Sequence, residues 1–376
     1  MSLSDAIEEL RLVDNHVHSV LPEPLTPAEF ERFLTESDRP APPGISQLDS
    51  QIGFAVRRWC GPVLGLGPSA DPDSYIQHRN SLPGTGPSGE LLSAAGCSHL
   101  LVDTGFTAPG SVSLEALGEL AGAEVREIVR LETVAAELAA SGCTAAGFGD
   151  AYRELLWRRS ADAVGLKSIV AYRYGLDFEP TRPSPAEVAA AAGRWLREAE
   201  AGGQLRLTDP VLLRHLLWSG VDRGLPVQLH TGFGDPDLDL RRANPLLARD
   251  FLAACGAPVV LLHCYPYHRQ AGYLAHAYPN VYFDVGLAAN YVGARAAAVL
   301  AESLELAPFG KVLYSSDAYG LPELVYLGAR LWRQAMAEVL GGWVNAGHWT
   351  QADAIRVAGL IGYGNSARLY QLAAGE

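Results

Sequence analysis

Short, nearly continuous apolar runs alternate with longer stretches of helical periodicity along this chain. The runs predict strands at Arg11–His18, His99–Thr104, Arg126–Leu131, Leu166–Tyr172, Pro226–Thr231, Pro258–Cys264, Asn280–Val285 and Lys311–Ser316. Val259-Val260-Leu261-Leu262 is apolar at every position, as expected of a parallel strand covered on both faces. Helical patterns lie at Pro185–Glu200, Asp209–Arg223, Pro245–Cys255, Val292–Leu304 and Pro322–Leu340. Asp209 before Pro210 reads as an N-cap ahead of a first-turn proline, and Ser184 with Glu187 as a capping box.

Eight strands, each followed by helix, predict an α/β protein of the (β/α)8 TIM-barrel type. A doubly wound open sheet would carry a glycine-rich turn after its first strand, whereas the sequence there is His18-Ser19-Val20-Leu21-Pro22. Residues 21–96 are too many for a bare loop. They predict a mostly helical insertion capping the site, with helices at Thr26–Thr35 and Leu48–Trp59, inside one barrel spanning 1–376. Pro and Gly crowd Gly61–Gly89, which reads as mobile. Thr350–Leu372 reads as one or two closing helices.

Charge narrows the partners. Lys+Arg is 29 and Asp+Glu 42, a balance of 29 − 42 = −13 with no basic block, which argues against nucleic acid and anionic membranes. No apolar run approaches the roughly 20 residues of a membrane span. Met1–Arg11 carries Asp5, Glu8 and Glu9 and lacks a signal-peptide layout. The five cysteines include no C-x-x-C pair, so free thiols and a cytoplasmic setting are expected. A homo-oligomer is compatible with this surface, but no interface is legible.

The strand ends carry the chemistry. The first ends in His16-Val17-His18, two imidazoles at the spacing that shares a strand face. The fifth brings His230, the sixth His263, and the eighth Asp317. Each has an ordinary alternative: a hydrogen-bonded core histidine, or for Asp317 a helix cap. Barrel closure would bring all five together, and imidazole plus carboxylate suits zinc and its neighbours. Tyr172 and Arg173 end the fourth strand. Arg173 would hold a substrate carboxylate, or else pair with Asp177 or Glu179. Tyr265 is placed to line the pocket. His268 and Arg269 face either the pocket or solvent, Asp235 reads first as a turn residue, and Asp284 as a group that orients a histidine or pairs with an arginine.

This constellation resembles the amidohydrolase superfamily. Val259–Gly286 and Val312–Arg333 are similar to the amidohydrolase-2 group, and within it to the amidohydrolase half of FluG-like proteins, as is Gly364–Tyr370. The resemblance covers the first strand and most of the chain after about residue 95; nothing matches residues 21–96. It implies a metal-dependent hydrolase with one or two divalent ions, zinc expected. His16, His18, His230 and Asp317 would be ligands, joined in a two-metal form by His263 and a carboxylated Lys167. Asp317 and His263 would carry protons between water and the leaving amine. The implied reaction is hydrolysis of a C–N bond in a small carboxylated compound, a γ-glutamyl-type amide being one candidate. The group also contains decarboxylases with the same single-metal site, which is the alternative. A non-catalytic binding barrel is a third reading, which the full ligand set disfavours.

Overall fold

A computed structural model describes residues 2–22, 24–200 and 205–373. Seven strands form one parallel sheet in sequence order: β1 (Leu12–Val17), β2 (Cys97–Asp103), β3 (Glu124–Arg130), β4 (Gly165–Ser168), β5 (Val227–Thr231), β6 (Val259–His263) and β7 (Val281–Phe283). Helices follow the strands, so both sheet faces are covered, as the all-apolar runs require.

The expected eighth strand is absent as a regular element. Residues 312–320 instead run extended between the sheet's two edges. Leu313 N–H donates to the Phe283 carbonyl at 2.9 Å, and Asn15 N–H to the Tyr314 carbonyl at 3.1 Å. The ladder fails because a side chain takes its donor: Ser316 N–H is bound by Asp14 Oδ1 at 2.9 Å. The fourth strand is also shorter than expected. It stops at Ser168, and Val170–Arg173 is a helical turn. The buried run Ile169-Val170-Ala171 suits either state, so its apolarity could not separate them.

Between β1 and β2 lie the helices Pro27–Arg32, Gln51–Val63, Pro72–Ser81 and Gly86–Ala95. The stretch Gly61–Gly89, expected to be mobile, is tied down. Arg79, 1% exposed, donates from Nε to Glu323 Oε1 at 2.5 Å, fixing Pro72–Ser81 to the long helix Pro322–Asn345.

A small inner cluster closes the floor: Val13, Leu101, Ile128, Val164, Val260, Leu262, Leu313 and Tyr370. Gly165 belongs there because a Cβ would sit 2.8 Å from Ile128 Cδ1 and 3.1 Å from the Tyr370 ring. Alternation then sets the layer above. Asp103, Arg130 and Gln228 lie on the inner faces of β2, β3 and β5, with Lys167 paired in register between Arg130 and Gln228.

Candidate metal centre

Strict alternation would send two of the expected ligands the wrong way. Val13 faces the inner cluster, so His16 and His18 should face outward. A register shift between Asp14 and Val17 swaps the faces, as a bulge does. On β6, Leu262 faces inward and His263 should not. His263 has φ +68°, which re-aims its ring, and its N–H is held by Asp284 Oδ1 at 2.9 Å. Asp317 has φ +49°. Left-handed backbone at non-glycine residues costs about 1–3 kcal/mol each, and such strain collects at functional sites.

The converging side chains are close. Asp317 Oδ1 lies 3.3 Å from His16 Nε2 and 3.6 Å from His18 Nε2; Oδ2 lies 3.4 Å from His263 Nδ1. His16, His263 and Asp317 present ligand atoms all within 4.8 Å of one another, as do His16, His18 and Asp103. His230 falls outside both groups but packs against His263 with ring centroids 4.7 Å apart. Lys167 Nζ donates to His16 Nε2 at 3.2 Å.

The tautomers follow from the acceptors. His16 Nδ1 faces Gln228 Oε1 at 2.7 Å, and the Gln228 amide is oriented by donating to the Asn15 carbonyl at 2.7 Å and to Tyr370 Oη at 2.8 Å. His18 Nδ1 faces the Asp103 carbonyl at 3.1 Å. Each Nδ1 therefore carries the proton and each Nε2 keeps its lone pair on the Asp317 side, the His16 one accepting from Lys167.

Burial keeps the imidazoles neutral. It pushes His16, His230 and His263 well below the ordinary histidine value, and His18 down to about 4 against the pull of Asp103. Burial raises the Asp317 carboxyl well above its usual range, with Lys167 opposing, and lowers Lys167 to about 8. His230 Nε2 and His263 Nδ1 are buried with no hydrogen-bond partner. Neutral nitrogen donors, two of them orphaned, around one carboxylate form a set that fits a divalent cation.

The other expected residues divide. Tyr172 packs on His230 with ring centroids 4.5 Å apart, and a Cβ at Gly234 would collide with its hydroxyl. Arg173 makes no ion pair among the described residues, and its buried Nε is unpartnered. Asp177 and Glu179 pair instead with Arg242 and Arg214. Tyr265 packs against Phe233 and His268. His268 and Arg269 turn away, to Glu302 and to Glu302 with Glu305. Asp235 caps a turn through Asp237 N–H. Asp284 orients the His263 backbone, not an imidazole. Asp317 caps no helix: Leu321 occupies that position, without a side-chain bond.

Sequence reasoning missed Asp103, Arg130, Gln228, Phe106 and Tyr319. Arg130 donates to Asp103 Oδ2 from Nε at 3.1 Å and from Nη2 at 2.5 Å. Burial is the largest influence on the Asp103 carboxyl and opposes its charge, but Arg130 together with His18 and Lys167 outweighs it and holds the carboxyl below its ordinary value. Phe106 and Tyr319 stack at 4.5 Å and flank His18 at 5.7 and 5.8 Å. Asp103 and Arg130 end β2 and β3, so the strand-end rule that found the histidines covers them too.

A curled parallel sheet with a histidine–aspartate cluster at its strand ends defines a class, and comparison with known proteins names it. The amidohydrolase family model (Amidohydro_2) matches residues 108–372. The chain is 30% identical to the protein fluG of Emericella nidulans over 99% of its own length, and spans 47% of that relative. A crystal structure of a protein assigned as a metal-dependent hydrolase, from Lactobacillus casei ATCC 334, superposes with a TM-score of 0.86 at 30% identity, covering 98% of this chain and 97% of that one. The uronate isomerase of Thermotoga maritima superposes with a TM-score of 0.61 at 14% identity, over 98% of this chain and 96% of that one, which concerns the fold alone. The chain belongs to the amidohydrolase family. Among the described residues, no helix is long and apolar enough to cross a membrane.

Proposed function

We propose that this protein is a metal-dependent hydrolase acting on a C–N bond of a small carboxylated substrate, with a γ-glutamyl-type amide as the leading candidate. The supporting observation is the set of buried, neutral imidazoles arranged around Asp317. His16, His18, His230 and Asp317 would hold one divalent cation, most simply zinc given nitrogen and oxygen donors. Such an ion lowers the pKa of water and polarises a carbonyl when bound.

The chain's own groups do the rest. Asp317, within 3.3–3.6 Å of the imidazoles of His16, His18 and His263, takes the proton of the attacking water. His263 Nδ1, 3.4 Å from Asp317 Oδ2, lies on the route by which that proton reaches the leaving amine. Arg173, which makes no ion pair among the described residues, takes the substrate carboxylate. Tyr172 shields the His230 face from water. Residues 21–96 form a cap over these groups, within a single barrel closed by residues 312–320.

Incubation with a panel of carboxylated amides, measuring released amine or ammonia alongside CO2, tests this reading. Amine release with about one metal equivalent per chain by elemental analysis is expected. CO2 release in its place would overturn hydrolysis, and two equivalents would assign His263 and a carboxylated Lys167 to a second ion.

A further inference from the structure

Glu36 stands in the segment between β1 and β2, which contributes nothing to the expected ligand set. Its Oε1 accepts the Tyr291 hydroxyl at 2.8 Å. Tyr291 packs on Phe233, three residues beyond His230, with ring centroids 5.5 Å apart. Phe33, on the same stretch as Glu36, packs on Tyr319 at 5.7 Å, and Tyr319 on His18 at 5.8 Å. Residues 33–36 are thus held over the candidate centre from both sides.

The electrostatics are unbalanced. Glu36 makes no ion pair among the described residues, and the charge that acts on it, Asp235, has the same sign. Its negative charge reaches Tyr172 and Asp317. Anchoring Tyr291 does not need a carboxylate, since a glutamine oxygen would accept the same bond. Among the described residues Glu36 Oε2 has no hydrogen-bond or ion-pair partner, and the residue is only partly buried. A carboxylate oxygen left open beside the site can receive a cation that enters with the substrate. Arg173 on the same rim makes no ion pair among the described residues; the charges of Arg206 and Arg130 act on it against those of Glu132 and Asp237, and its buried Nε has no partner.

We propose that Glu36 binds a positively charged group of the substrate, so that the substrate is zwitterionic, its ammonium at Glu36 and its carboxylate at Arg173. This rests on the hydrolase reading and narrows its substrate class to amides of amino-carboxylic acids.

The test compares γ-glutamyl-p-nitroanilide with glutaryl-p-nitroanilide, which lacks only the amino group. The native protein should favour the first by about 10–100-fold in kcat/KM, the range of one charge-assisted hydrogen bond. Glu36→Gln should lose that preference by slowing the γ-glutamyl compound alone, and Glu36→Asp should restore part of it. Equal rates for the two compounds, or an equal fall in both with Glu36→Gln, would overturn the assignment. If neither anilide is cleaved and the amide panel releases no amine, the hydrolase reading has failed, and calorimetric binding of L-glutamate against glutarate decides this inference separately. Tighter L-glutamate binding that Glu36→Gln abolishes sustains it; equal or reversed affinity overturns it.

Discussion

Asp317 and Glu323 are near neighbours in sequence, both low in exposure, and their surroundings could hardly differ more. Glu323 is met by Arg79 Nε at 2.5 Å and Nη2 at 3.4 Å, with the Tyr75 hydroxyl at 3.3 Å. The chain gives it a cation and fills both oxygens. Asp317 receives neutral imidazoles at 3.3–3.6 Å on a strained backbone, and the one ammonium nearby, Lys167, is weakened by its own burial. A buried carboxylate that is fully partnered ties elements together. One left under-partnered among lone pairs is arranged for something that arrives from outside.

The sharpest way to break this contrast is Asp317→Asn. One of the two oxygens that face the histidines is kept and the proposed proton acceptor is lost. Turnover should fall by about 10³–10⁴-fold, the upper range of acid–base contributions. Metal content by elemental analysis should stay substantial. Near-native turnover would move Asp317 into the class of Glu323.

Arg79→Met should do the reverse. Removing one partner of a buried ion pair costs about 3–5 kcal/mol. Urea unfolding should show a lower midpoint, while turnover per folded molecule changes little. The double variant Arg79→Met with Glu323→Leu should recover much of the loss, because no charge is then stranded. Failure to recover would mean that the pair does more than tie Pro72–Ser81 to the long helix.

Asp14 lies between these extremes. Its Oδ1 binds Ser316 N–H at 2.9 Å, its Oδ2 is buried without a partner, and burial raises its pKa from 3.8 to about 7. The folded state therefore holds a proton that the unfolded state has released between those values. This contribution to stability is full below the unfolded pKa and is lost as pH rises through the folded one. Asp14→Asn cannot lose it. The variant should gain on the native protein by about 2–3 kcal/mol between about pH 5 and pH 7.5. The histidines titrate in both proteins and cancel in the difference, so parallel pH–stability curves by urea unfolding would refute the shift.

These groups were unequally legible in the sequence. His16, His18, His230, His263 and Asp317 stand out because a polar side chain at the end of an apolar run is conspicuous. Their orientation was not legible, since it depends on a bulge in β1 and left-handed backbone at His263, which no periodicity encodes. Asp103 and Arg130 end their strands and were open to the same rule, but their pairing shows only when β2 and β3 lie side by side. Glu36 was invisible, because residues 21–96 offer no repeat or motif to place it against. The irregular eighth segment was missed for a reason outside itself: a side chain of β1 binds its amide.

The smallest expected effect separates two arginines of the rim. Arg130 is neutralised by Asp103, stacked over Phe106 at 5.6 Å, and wrapped so closely that a Cβ at Gly105 would strike its side chain. Arg173 has none of this, and both carboxylates expected to pair with it serve other arginines. Arg173→Lys keeps the charge and loses the fork, so it should raise KM by about 10–30-fold with kcat nearly unchanged. Arg173→Met should raise KM by a further few-fold without lowering the thermal midpoint, because no internal bond is broken. A stability loss in Arg173→Met with KM unmoved would make Arg173 another structural arginine. The substrate's carboxylate would then have to be bound elsewhere, with the remaining Nη1 of Arg130 the next group to test.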